Sequence, residues 1–124
     1  MERFPWMSRW FVLLALTACG DNDTGPGDLP PSSLSVDLGN DFYRSLRNGS
    51  TEPSFDTVAV NGTVTWTWIE EGEHGVAFDD GSLPTSALMT AVGSQHSVTF
   101  PATGTFLYSC QVHGPQMAGS VVVR

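Results

Sequence analysis

Lysine is missing from the chain after Cys19, where Arg44, Arg47 and Arg124 face twelve Asp and Glu. The whole chain carries a formal net charge of -8. A field of that sign repels phosphate backbones, which excludes a nucleic-acid partner, and it steers basic proteins. Long apolar runs are lacking too. The run from Trp10 to Ala18 is too short to span a bilayer as a helix. Helical stripes are absent from residues 34–124, where Ala87–Ala91 suggests one helical turn at most. No G-x-S-x-G stands in the chain, so Ser-His-Asp hydrolysis is without support. Cysteine is scarce: Cys19 and Cys110 are the two in the chain.

Arg3 and Arg9 precede the apolar run, and residues 1–18 therefore read as a secretory signal peptide. Its end, Leu16-Thr17-Ala18-Cys19, resembles the bacterial lipobox, in which cleavage leaves the cysteine as a lipid-bearing N-terminus. Ordinary signal-peptidase cleavage nearby, or an uncleaved anchor, is the alternative. Residues 20–33 are polar and punctuated by Pro and Gly, so 19–33 reads as a lipidated cysteine with a flexible tether. Residues 34–124 then suffice for one small core and one domain.

Beyond Leu34 the apolar period is two. Leu34, Val36 and Leu38 alternate with Ser35 and Asp37. Thr63-Val-Thr-Trp-Thr-Trp68 alternates strictly, with Val64, Trp66 and Trp68 on one face. Val58 and Val60 lead into Asn61-Gly62, a hairpin signal. Short strands are further expected at Val76–Phe78, at Val98–Phe100, at Thr105–Cys110 and at Ser120–Val123. Residues 40–53 read as an irregular excursion. The pattern predicts an all-β antiparallel sandwich of about seven to eight strands. Trp66, Trp68, Phe100, Phe106 and Tyr108 would form its stiff apolar wall.

Cys110, His113 and Met117 fall on a short stretch between the last two expected strands. Thiolate, imidazole and thioether are a soft ligand set, and a further imidazole is available at His74. His₂Cys with a weak axial Met is the arrangement of blue-copper electron-transfer sites. Cys110 supports this from a second direction. With Cys19 lipidated it has no disulfide partner, and an unpaired thiol in an oxidising compartment persists best as a metal-bound thiolate. Zinc would accept Cys and two His but gains little from a thioether, so Met117 separates copper from zinc. His96 reads as an exposed strand residue. Glu70, Glu71 and Glu73 read as a solvated rim beside His74, since hard carboxylates suit copper poorly.

Gly104-Thr-Phe-Leu-Tyr-Ser-Cys110-x-x-His113-x-x-x-Met117-x-Gly119 resembles the copper loop of plastocyanin-like cupredoxins. His74-Gly-Val-Ala-Phe78-Asp79 and Val60-Asn-Gly-Thr-Val-Thr-Trp66 resemble the family's first-ligand segment and the strands before it. The resemblance spans residues 34–124. It implies a Greek-key sandwich with one type 1 copper held by His74, Cys110, His113 and Met117, and electron exit through His113. The three residues between His113 and Met117 lie between the spacings of plastocyanins and amicyanins. Gly75 stands where the family often has an Asn that ties the ligand loops together, so that brace is expected to be lost.

The sequence therefore predicts an exported, membrane-tethered blue-copper protein, monomeric and not an enzyme, shuttling single electrons. The lipid would hold it to a bacterial membrane, facing the periplasm or cell exterior. Redox proteins would be its partners, with basic cytochromes or a copper oxidase as candidates. A module for copper storage, delivery or sensing would show the same ligands. Three His cannot furnish the extra centres of a multicopper enzyme.

Overall fold

The structure, a computed structural model, describes residues 29–124. The signal peptide, Cys19 and most of the tether lie outside the described residues. Eight strands follow in chain order. They are β1 (Ser33–Gly39), β2 (Phe42–Ser45), β3 (Ser54–Val58), β4 (Thr63–Trp68), β5 (Ala77–Phe78), β6 (Gln95–Thr99), β7 (Gly104–Cys110) and β8 (Gly114–Val123). They form two four-stranded sheets, ordered β2-β1-β4-β6 and β3-β8-β7-β5. The expected all-β sandwich is borne out. Each sheet adds one parallel pair to its antiparallel ones: β1 with β4, and β3 with β8.

The period-two pattern explains the core. On β4, Val64, Trp66 and Trp68 are buried while Thr63, Thr65 and Thr67 face outward. Those outward hydroxyls pair across to β6, with Thr63 against Thr99 at 3.0 Å and Thr65 against Ser97 at 2.8 Å. Leu34, Val36, Leu38, Tyr43 and Val98 extend this sheet's inner face, and Val58, Tyr108, Met117, Val121 and Val123 come from the other. Trp66 meets Tyr108 and Phe78 edge-on, at centroid distances of 5.1 and 5.8 Å. Edge-on contact sets the positive ring edge against a negative face. Of the expected wall, Trp66, Trp68, Phe100 and Tyr108 are buried and Phe106 is half-buried.

Four local expectations change. Asn61-Gly62 does not make a hairpin, because β3 and β4 belong to different sheets. The turn instead crosses the sandwich: Asn61 takes φ 64° and its N–H donates to the Phe100 carbonyl at 2.7 Å. The stretch after Asn40 is not wholly irregular, since β2 lies in it, paired to β1. Two alternations were too few to show, yet they place Tyr43 and Ser45 inward and leave Arg44 to an ion pair with Asp37 at 2.8 Å. Residues 87–91 form no helical turn; Met89 exchanges two backbone hydrogen bonds with His74, at 3.0 and 3.1 Å. Finally, Met117 is not in a loop. Gly114 adopts φ 66°, the chain doubles back, and β8 begins there with Gly114 opposite Cys110. Met117 is thereby an inward residue of a strand.

Candidate metal centre

Cys110 ends β7 at a register irregularity, which aims its side chain into the end of the sandwich. It is fully buried. His74 is pinned by its double bridge to Met89 and is also buried. His113 lies in the tight turn from β7 to β8. His74 Nδ1 stands 3.8 Å from Cys110 Sγ, and one ligand atom from each of His74, Cys110 and His113 lies within 4.8 Å of the others. The two imidazoles stack at 4.9 Å between centroids and 27° between planes. His113 Nδ1 is buried without a hydrogen-bond partner. An orphaned ring nitrogen beside a buried thiol is costly as a bare structure and suited to a metal donor. Met117, fully buried, lines the same cleft as His113, Asp41 and Glu52.

The outer nitrogens are occupied. His74 Nε2 hydrogen-bonds Asn40 Oδ1 at 3.0 Å, and the Asp41 carboxylate stands 3.0 Å from His113 Nε2 as a charge contact. Burial, and then the neighbouring His113, push the His74 imidazole below its ordinary value, while Asp41 and Glu70 oppose the shift. A buried imidazole is thus held neutral, the state in which it binds metal. Tyr43 donates its hydroxyl to the Gly75 carbonyl at 2.6 Å, fixing the backbone next to His74.

The brace expected to be lost at Gly75 has a substitute. The Gln111 amide lies over Gly75 so closely that any side chain at 75 would overlap it. Gln111 Nε2 donates to the Ser86 carbonyl at 3.2 Å, and Ser86 Oγ accepts from Val76 N at 2.8 Å. The residue after Cys110 is so tied to the residues after His74. Asn40, Asp41, Tyr43 and Gln111 all escaped the sequence reading. Asn and Gln carry no spacing signature, and the weight of β2 was hidden in its four residues.

His96 takes no part in this cluster. It sits on β6, half-buried and not exposed, with its ring 6.2 Å from that of Trp66 and Nε2 3.2 Å from the Pro84 carbonyl. Of the acidic rim, Glu70 accepts from Asn40 N at 2.9 Å, while Glu71 and Glu73 are exposed.

A β-sandwich with buried thiol and imidazole donors converging at one end defines a cupredoxin, a class that carries electrons through copper and performs no enzymatic turnover. A model of the copper binding proteins, plastocyanin/azurin family, matches residues 50–124, and the chain belongs to that family. Amicyanin of Paracoccus denitrificans is 42% identical over 119 residues, covering 91% of this chain and 89% of its own length. Plastocyanin of Scenedesmus fuscus is 31% identical over 83 residues, covering 59% of this chain and 85% of its own. A solved amicyanin variant in its reduced Cu(I) form superposes with a TM-score of 0.58 at 30% identity, covering 78% of this chain and 87% of that one. The donor set fits a single type 1 copper.

Proposed function

We propose that His74, Cys110 and His113, with Met117 as the weak axial donor, hold the copper of a membrane-tethered electron carrier. The observation that carries this is the cluster itself: thiol and imidazole donors within 4.8 Å, with His113 Nδ1 buried and unpartnered. Copper, when bound, supplies one-electron Cu(I)/Cu(II) chemistry. The protein's part is to keep the donors in place. Cys110 ends β7 opposite Gly114, Met117 lies within β8, and His74 is bonded to a third segment. Donors held by strands move little with oxidation state, which keeps the reorganisation for electron transfer small. Water is excluded by burial of His74, Cys110 and Met117.

His113 is the exit for electrons, its side chain 33% exposed. Asp41, Glu52, Glu70, Glu71 and Glu73 give this end of the molecule a negative rim. A rim of this kind raises the association rate of basic partners more than their affinity. Basic cytochromes or a copper oxidase are partners of fitting charge. Lipid on Cys19 and the linker over 20–33 would keep the exported domain at a membrane while it searches for them.

The test is the visible spectrum of the copper-loaded protein. An intense thiolate-to-copper band that fades on reduction, returns on oxidation and is lost in Cys110→Ser supports the reading. Tight copper binding with no reversible colour would refute electron transfer and leave copper storage or delivery. Globomycin-sensitive processing, lost in Cys19→Ser, checks the lipid anchor.

A further inference from the structure

We propose that the Asn40-Asp41 turn between β1 and β2 is the positioning device for both imidazoles of the metal centre. The inference rests on the copper reading above. Two successive residues each engage the outer nitrogen of a different histidine, at 3.0 Å in both cases. An Nε2–H donated to Asn40 Oδ1 leaves His74 Nδ1 with its lone pair free, and a carboxylate 3.0 Å from His113 Nε2 favours the proton on that nitrogen, which frees His113 Nδ1 likewise. Those are the nitrogens that face inward: His74 Nδ1 toward Cys110 Sγ at 3.8 Å, and His113 Nδ1 buried without a partner. One turn thus selects the tautomer of both rings and, through the Asn40 hydrogen bond, the ring angle of His74.

Three further features show that the turn is built for this contact. Its backbone is tied down, because Asn40 N donates to Glu70 Oε2 at 2.9 Å, four residues before His74. Asp41 takes φ 67°, a left-handed conformation that costs a non-glycine residue and persists when its surroundings fix it. Space for the Asn40–His74 contact is cleared by Gly72, at φ 143°. A Cβ at that position would stand 2.6 Å from Asn40 Oδ1 and 2.9 Å from His74 Nε2. Behind the turn, Gly39 pairs with Phe42, and Tyr43 reaches the Gly75 carbonyl, so the whole β1–β2 hairpin is keyed to the His74 segment.

The two partners differ in chemistry. Asn40 is neutral and fixes orientation alone. Asp41 adds a carboxylate, whose charge makes the His113 ring the stronger donor and favours the more positive oxidation state. The turn therefore sets the tautomer at both rings and electron richness at one.

The experiment uses the full-length protein and the variants Asn40→Ala, Asp41→Ala, Asp41→Asn and Gly72→Ala. Nitrogen-15 shifts of the imidazoles in the metal-free protein report the tautomers directly. Native protein is expected to hold both rings as Nε2–H. Asn40→Ala and Gly72→Ala release His74 into a tautomer mixture, and Asp41→Ala does so for His113. Each release weakens Cu(II) binding by about ten-fold. Asp41→Asn keeps the His113 tautomer and raises the reduction potential. Both turn side chains belong to exposed residues, so their truncation leaves the core intact. Tautomers unchanged in Asn40→Ala and Asp41→Ala would overturn the proposal, as would an Asp41→Asn potential equal to the native one. A native protein without a copper band would sink the copper reading by itself, and the metal-free tautomers would still decide this one.

Discussion

Tyr43→Phe removes one hydroxyl and little else, which makes it a sensitive probe of how the ligand segment is held. That hydroxyl donates to the Gly75 carbonyl at 2.6 Å, between two buried residues. The ring keeps its edge-on contact with Tyr108, 4.8 Å away, so no large cavity opens. What remains is a buried carbonyl without its donor, which costs about 1–3 kcal/mol. In a domain of this size that lowers the unfolding temperature by roughly 5–15 °C. Burial first, and then the charges of Cys110 and Tyr108, push the Tyr43 phenol far above its ordinary 10.0. In the unfolded chain the phenol ionises near 10.0, whereas folding keeps it protonated. Its contribution is therefore complete below that value and declines as pH rises from there toward the folded value. Tyr43→Phe should be destabilised at neutral pH and flatter on the alkaline side. Calorimetry of the metal-free protein, near pH 7 and again in alkali, reads both effects. Copper release should also quicken, since Gly75 adjoins His74. An unfolding temperature within about 1 °C of the native one at neutral pH would refute the reasoning.

Gly75→Ala and Gln111→Ala remove the same brace, so each should shift the thiolate-to-copper band, and the double variant should match either single; additive shifts would show two independent effects. Burial holds the Asp56 carboxyl above its usual range despite the hydrogen bond from Ser45 at 2.6 Å and the charge of Arg47. Its contribution is full below 3.8 and lost as pH rises through the folded value, so Asp56→Asn should gain stability at neutral pH over native protein in urea titrations. The depressed His74 gives the opposite limb. Metal-free protein should lose stability as pH falls below 6.5, and His74→Phe should remove that part of the loss, as seen in the same titrations.

Much of the sandwich was legible because its signal is short-range. Strict alternation in Thr63–Trp68 can bury one face only, and the structure buries Val64, Trp66 and Trp68. Lone hairpin and strand signals did less well. Asn61-Gly62 states that the chain turns, but a turn is compatible with staying in one sheet or crossing to the other. The four residues of β2 are too few to show a period, and Tyr43 became visible as a core residue once β1 lay beside it.

The sequence by itself determined the candidate donor types and set three of them close together along the chain. Cys110, His113 and Met117 are near in sequence, so almost any turn between two strands brings them to one end of the molecule. It also determined the period, and with it the inner face. Tertiary structure decided the rest. Whether His74 reaches Cys110 across 36 residues depends on which strands share a sheet. The same holds for the turn that grips both imidazoles, for Gln111 lying over Gly75, and for Met117 entering from a strand. Such contacts join segments far apart in sequence, and their geometry arises from strand order, sheet packing and turns that no local pattern encodes.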